Sequence, residues 1–126
     1  MMTQAKTVRQ MSNQIEQCLE NCQEAYRKCS ETIIHCIQMG GQHINETHLR
    51  RLLDCAEICR TTGDFLIRSD RYYTVCGVCA EFCLACAESC EQFENNDLMK
   101  ACAEACRRCA ESCQMMVANA AEISKV

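Results

Sequence analysis

Residues 79–90 read CAEFCLACAESC, and residues 102–113 read CAEACRRCAESC. Both segments follow the pattern C-A-E-x-C-x-x-C-A-E-S-C, in which cysteines recur in alternating steps of four and three residues. This spacing places side chains on one face of an α-helix and is typical of the face that packs into the core of a helical bundle. The core-facing side chains predicted here are therefore thiols.

Two further segments repeat the pattern less completely. Residues 55–59 read CAEIC, and residues 18–29 read CLENCQEAYRKC. Four related segments of helical period predict four helices, because each repeat is one structural unit. We place the helices at about residues 3–39, 46–69, 71–94 and 98–123.

The segments between the predicted helices are short. Gly40 and Gly41 can end the first helix, and Asn45 can cap the second. Asn96 or Asp97 can cap the fourth. Short links force neighbouring helices to run antiparallel. The sequence therefore predicts an all-α fold, an antiparallel up-down-up-down four-helix bundle that forms a single domain over residues 1–126.

Composition limits the classes of partner and location. The net charge of −4 and the pI near 5.4 argue against nucleic acid or an anionic membrane as a partner. We expect no membrane-spanning segment, because no run of apolar residues approaches that length. The first ten residues, MMTQAKTVRQ, lack the apolar stretch of a secretory signal. These features predict a cytoplasmic protein.

Every one of the 15 cysteines falls on a predicted core-facing stripe. Packing alone does not require so many cysteines in place of Leu or Val. A disulfide framework fits poorly, because the number is odd and the cytosol is reducing. Cysteines four apart on a helix also have Cβ atoms about 5–6 Å apart, whereas a disulfide needs roughly 3.5–4.5 Å. We therefore predict metal ligands at Cys18, Cys22, Cys29, Cys36, Cys55, Cys59, Cys76, Cys79, Cys83, Cys86, Cys90, Cys102, Cys106, Cys109 and Cys113.

Ligand type and charge indicate which metal these thiols bind. Thiolates select Cu(I), zinc or iron–sulfur clusters. Iron–sulfur and structural zinc sites usually take cysteines from loops and turns, whereas two sulfurs on adjacent helical turns satisfy Cu(I). One Cu(I) replacing one thiol proton also keeps a buried core neutral. The sequence predicts a store of roughly 15 Cu(I) ions per chain, or a few more if sulfurs bridge ions.

With these repeats, the chain resembles the cytosolic branch of the copper storage protein family. The resemblance covers nearly the whole chain from Cys18 to Met116. It implies a four-helix bundle that binds many Cu(I) ions, commonly as a homotetramer, and that buffers excess copper or supplies copper enzymes. Non-cysteine residues interrupt the core-facing stripes of the first two helices, which implies lower capacity near the second helix. They are Ala25, Thr32, Leu52, Thr62 and Leu66.

Two other functions remain as alternatives: a zinc or other soft-metal buffer, and a single-ion metallochaperone. A thiol redox enzyme is disfavoured, because no cysteine is singled out with a histidine partner. We predict that the protein is not an enzyme. Competition with a Cu(I) chelator separates copper from zinc, and the number of ions bound separates a store from a chaperone.

The predicted topology brings histidines and methionines together at the ends of the bundle. His35, His43, His48, Met39 and Met99 gather at one end, and Met11, Met115 and Met116 gather at the other. Most of these residues are interpreted as packing residues. His48 differs, because it lies on the core-facing stripe one heptad before Cys55. We therefore predict that His48 is a peripheral Cu(I) ligand at an end site.

Overall fold

The computed structural model describes the backbone of residues 2–124 and the side chains of residues 12–121. Over this part of the chain four long helices form. They are α1 (Met2–Met39), α2 (Glu46–Arg68), α3 (Tyr72–Glu91) and α4 (Asp97–Ser124). A short 3₁₀ turn, Gly41–Ile44, joins α1 to α2.

The four helices pack as a square. Each helix contacts the next along the chain, and α4 closes the square against α1. Consequently α1 and α3 lie across one diagonal, and α2 and α4 lie across the other. The predicted antiparallel up-down-up-down four-helix bundle is confirmed.

The helix ends use the predicted residues. Gly40 and Gly41 have φ of 69° and 58°, a left-handed conformation that ends α1 at low steric cost because glycine has no Cβ. The Asn45 side chain accepts a hydrogen bond from the His48 backbone N–H at 3.2 Å. Asn96 accepts one from the Met99 N–H at 3.0 Å and so caps α4.

Helix α3 is shorter than predicted, because it ends at Glu91 and not near residue 94. The N–H groups of Gln92 and Phe93 bond to carbonyls three residues back, at Ser89 and Cys90, and this tightens the chain into a turn. Asn95 then adopts a φ of 57°, which Asn tolerates better than most residues. These bonds redirect the chain into α4.

Helix α3 also corrects the expectation about membrane spans. Its 20 residues have a mean hydropathy of 1.3 in the most apolar window, enough by length and composition to cross a membrane. Cysteine and alanine supply much of this hydropathy. The same residues form the side of α3 that is buried in the bundle, from Cys76 to Cys90.

The core of the bundle consists largely of sulfur. All 15 cysteines are buried, 14 of them with no exposed surface and Cys59 with 1%. Large side chains close the stack of thiols, with Leu52 and Met99 toward one end and Met116 toward the other. Among the residues whose side chains are described, three polar ones are also buried: Thr32, His48 and Thr62. A core so rich in small soft side chains is unusual, and its arrangement defines the site.

Candidate metal centre

The core thiols form four groups in which all sulfurs lie within 4.8 Å of one another. Three groups contain four sulfurs, and the fourth contains three. Each group takes its sulfurs from three different helices. The groups are Cys22–Cys79–Cys109–Cys113, Cys59–Cys79–Cys83–Cys109, Cys29–Cys86–Cys102–Cys106, and Cys18–Cys76–Cys113.

The group around Cys29 illustrates how the helices build these sites. The Cys29 sulfur, on α1, lies 3.8 Å from the sulfur of Cys86 on α3. It lies 3.8 Å from Cys102 and 3.7 Å from Cys106, both on α4. The four-residue spacing of Cys102 and Cys106 places both sulfurs on the same face of α4, where one facing sulfur reaches both.

A second group forms around Cys59 on α2. Its sulfur lies 3.5 Å from that of Cys83, 3.9 Å from that of Cys79 and 3.9 Å from that of Cys109. Cys79 and Cys109 also belong to the group that contains Cys22, whose sulfur is 3.5 Å from Cys109. Shared sulfurs make these groups continuous, as bridging thiolates require.

Three cysteines fall outside the four groups. The Cys55 sulfur lies 3.7 Å from the sulfurs of both Cys83 and Cys106 and so connects two groups. Cys36 and Cys90 lie farther along α1 and α3, toward the end of the bundle that contains His48. They extend the stack of sulfurs toward that end.

The sulfur separations fit metal thiolates. All 15 cysteines are free thiols, and the closest sulfurs are 3.5 Å apart, well beyond the ~2.05 Å of a disulfide. Two sulfurs that share one metal ion, with bonds of about 2.3 Å, lie about 4 Å apart. Small rotations of the side chains are enough to admit ions. The distances suit both Cu(I) and zinc, so the choice of metal depends on charge.

Hydrogen bonds between thiols and burial together set the charge of the empty core. Burial is the main factor that raises the pKa of Cys36, with a smaller contribution from the nearby Cys102. Hydrogen bonding to Cys102 and Cys106, followed by burial, raises the pKa of Cys29. Hydrogen bonds from Cys106 and Cys29 instead lower the pKa of Cys55. The pKa is raised at ten of the 15 cysteines, so the empty core is mostly protonated, because each negative charge opposes the next.

A neutral core favours monovalent ions. One Cu(I) that displaces one proton leaves the charge of the core unchanged. A zinc ion held by four thiolates leaves two uncompensated negative charges, which are costly in a low-dielectric interior. Because the chain places all 15 thiols in one core, a monovalent cargo fits better than a divalent one.

His48 lies where the sequence predicted, at the start of α2 and facing inward, with 3% of its surface exposed. Its Nδ1 atom lies 2.7 Å from the Ser89 hydroxyl, and its Nε2 atom is buried without a hydrogen-bond partner among the described residues. Burial, reinforced by His43, lowers the pKa of His48, and Cys102 opposes the shift. The ring is therefore neutral near pH 7, the form that binds metal.

The structure adds detail that the helical pattern did not contain. The His43 ring packs 4.9 Å from Phe93 and 5.5 Å from His35, and its buried Nδ1 atom has no hydrogen-bond partner within residues 12–121. His43 lies in the 3₁₀ turn, outside any helical repeat. The predicted topology placed His43 at this end of the bundle, but its contacts with Phe93 and His35 were not predicted. At the opposite end Met116 is buried and Met115 is exposed, and the Met11 side chain lies outside the described residues.

The cysteines are grouped across helices, which the sequence did not predict. The sequence contains six pairs of cysteines four residues apart, which suggested sites on single helices. Each group instead combines a pair or a single cysteine with sulfurs from facing helices. Three pairs occur within groups: Cys79/Cys83, Cys102/Cys106 and Cys109/Cys113. Three of the sulfurs, those of Cys79, Cys109 and Cys113, are shared between two groups.

Comparison with known proteins places this core in a family. Residues 11–118 match the sequence profile of the copper storage proteins (Csp). A crystal structure of the Nmul_A1745 protein from Nitrosospira multiformis is 42% identical. The similarity covers 84% of this chain and 96% of that one, with a TM-score of 0.79.

Several solved structures similar to this chain contain copper. One is the Cu(I)-bound copper storage protein BsCsp3, 30% identical over 82% of this chain and 98% of that one, with a TM-score of 0.77. Another is a cytosolic copper storage protein from Streptomyces lividans loaded with five coppers, 26% identical over 85% and 94%, with a TM-score of 0.79. The resemblance found in the sequence is confirmed, and the chain belongs to the copper storage protein family.

Proposed function

We propose that this protein stores Cu(I) in its core, where cysteine thiolates bind many ions at once. The observation that carries the proposal is the continuity of the sulfur groups. Cys79, Cys109 and Cys113 each belong to two groups, so neighbouring ions share ligands. A single-ion chaperone needs one accessible site, whereas this core contains a stack of buried ones. The arrangement fits a reservoir that buffers excess copper or supplies copper enzymes.

The capacity follows from charge balance. Fifteen buried thiols that each exchange a proton for Cu(I) accept roughly 15 ions, and bridging sulfurs with His48 allow a few more. We assign all 15 cysteines as ligands, and we assign the whole chain to one storage domain. Nothing in this exchange requires turnover of a substrate, so we assign no catalytic role.

The cellular location and the oligomeric state of the protein are inferred from its relatives. The Streptomyces lividans protein is described as cytosolic, and free thiols persist in a reducing compartment. We therefore propose a cytoplasmic location.

We also propose a homo-oligomer, a tetramer by resemblance. Exposed apolar side chains on α1, including Ile34 and Ile37, offer surface for contact with another copy.

Metal competition tests the storage of copper against the zinc alternative. The reduced protein is loaded anaerobically with equal excess of Cu(I) and Zn²⁺, desalted, and analysed for both metals. We expect copper to fill the core and zinc to be nearly absent, because copper keeps the core neutral and zinc does not. A protein that retains zinc in preference would be a zinc buffer, and one that yields its copper to a weak Cu(I) chelator would not be a copper store.

Copper entry is proposed at the end of the bundle that contains His48. A cavity of about 620 Å³ opens between α2 and α3, and His48, Ser89 and Phe93 form part of its wall with Arg51 and Glu88. His48 therefore lies between this cavity and the nearest cysteines of the core. Its free Nε2 atom supplies a neutral nitrogen ligand that binds Cu(I) less tightly than a thiolate does. Such a ligand can pass an ion inward.

Replacing His48 with alanine tests this route. We expect His48→Ala to slow Cu(I) uptake measurably, or to lower the capacity by about one ion, without change in the remaining sites. Stopped-flow absorbance of copper–thiolate formation measures the rate. His35→Ala is a suitable control, because His35 lies at the same end but bonds to Asn96. If His48→Ala takes up copper at the wild-type rate and to the wild-type capacity, His48 has no role in copper entry.

A further inference from the structure

One layer of the core lacks a fourth thiol. Three of the sulfur groups contain four cysteines, whereas Cys18, Cys76 and Cys113 form a group of three. These three residues come from α1, α3 and α4, and α2 contributes no thiol to this layer. On the stripe of α2 that faces the core, the positions after Cys59 are Thr62 and Leu66.

Helix register identifies the residue that stands in this layer. Cys55 and Cys59 of α2 face α4 across the diagonal, where they contact Cys106 and Cys109. These contacts join residues 51 and 50 positions apart in sequence. An offset of 51 residues from Thr62 leads to Cys113. Thr62 therefore lies level with Cys113, in the layer of three thiols.

The Thr62 hydroxyl has no hydrogen-bond partner. Its Oγ1 atom is buried and unpaired among the residues whose side chains the structure describes. The comparison with Thr32 is informative, because Thr32 is equally buried and also faces the core. Its hydroxyl, however, donates to the Lys28 carbonyl at 2.6 Å. A buried unpaired hydroxyl destabilises the folded state. We therefore expect the Thr62 hydroxyl to gain a hydrogen-bond partner when copper binds.

We infer that Thr62 stabilises the copper-loaded store: its hydroxyl donates a hydrogen bond to the thiolate of Cys18, Cys76 or Cys113 once copper is bound. The inference rests on the proposed storage of Cu(I). In the empty protein the sulfur of a thiol is only a weak hydrogen-bond acceptor. Loading replaces the S–H proton with copper and leaves a sulfur that carries negative charge, which accepts a stronger hydrogen bond. The hydroxyl thus stabilises the copper-loaded layer and destabilises the copper-free layer.

Opposite effects of one substitution on the empty and loaded protein test the inference. Thr62→Val removes the hydroxyl and keeps the branched shape. We expect the melting temperature of the copper-free protein to rise by about 2–6 °C, because an unpaired buried polar group is lost. We expect the most weakly held ions to be removed at roughly tenfold lower concentration of a Cu(I) chelator such as bathocuproine disulfonate, because a charge-assisted hydrogen bond is lost.

Two matched variants separate this role from a packing role. Thr62→Ser keeps a hydroxyl and is expected to retain copper as the wild type does. Thr32→Val removes a hydroxyl that is already paired, so we expect no rise in melting temperature and unchanged copper retention. If Thr62→Val lowers the melting temperature of the empty protein, or if Thr32→Val weakens copper retention equally, the inference is wrong.

A third variant adds the absent thiol. Thr62→Cys completes a group of four with Cys18, Cys76 and Cys113, and we expect it to bind about one more Cu(I) ion than wild type. Unchanged capacity would show that residue 62 does not face this layer and would overturn the inference. Failure of the wild-type protein itself to bind many copper ions would instead overturn the proposed function, so the two failures are distinguishable.

Discussion

Replacing Cys79, Cys83, Cys86 and Cys90 with alanine is expected to lower the capacity of the protein by about four Cu(I) ions or more. These residues place a continuous line of sulfur along α3. Cys79 belongs to two of the four groups, and Cys83 and Cys86 each belong to one. Their removal breaks all three groups of four and leaves only the group of three intact. Copper per chain, measured after anaerobic loading and desalting, reports the loss.

Alanine is preferable to serine at these positions. A buried serine hydroxyl without a partner costs about 1–3 kcal/mol, so four of them cost an amount similar to the ~5–15 kcal/mol by which a typical domain is stable. Alanine leaves only a small cavity in place of each sulfur, at about 1 kcal/mol or less. The bundle is expected to keep its helices with alanine.

Circular dichroism of the same variant provides the control for folding. Retained helix together with reduced copper shows that these side chains carry sites. An unchanged number of bound copper ions in a folded variant would show that these side chains do not carry sites and that other residues form the store.

The copper-free, reduced protein is expected to be fully helical, and copper is expected to raise its melting temperature by tens of degrees. Neutral thiols pack as small apolar side chains, so the core forms without metal. Zinc fingers differ in this respect, because they have too little core to fold without the ion. Many tightly bound ions add stability by mass action, since they bind the folded state in preference. Far-ultraviolet circular dichroism against temperature measures both states.

Oxidation must be excluded in this comparison. Thiol titration before and after the measurement confirms that the 15 cysteines stay reduced. Little helix in the reduced copper-free protein would contradict the prediction and would indicate that folding and loading occur together.

The sequence predicted most of the fold because the period of its cysteines is that of a helix. Gly40, Gly41, Asn45 and Asn96 mark helix ends by local backbone chemistry, and the structure uses all four residues in this way. The end of α3 was predicted too late. The turn after Glu91 depends on how α4 begins, and no proline or glycine marks it in the sequence.

The candidate site was predictable only in part. The helical period places each cysteine on the inner face, and all 15 are buried there. Which sulfurs meet depends on the register between helices, which a single sequence does not contain. The contact between Cys29 and Cys106, 77 residues apart, is one example. The unpaired hydroxyl of Thr62 is another, because only the packed core distinguishes it from Thr32.

Anaerobic titration of the reduced protein with Cu(I), followed by native mass spectrometry, tests the central claim most directly. The account predicts uptake that continues to roughly 15 ions per chain, with one proton released for each ion bound, because the buried core stays neutral as it fills. Saturation at one to four ions per chain would contradict a copper store and would instead indicate a chaperone or a zinc-type site.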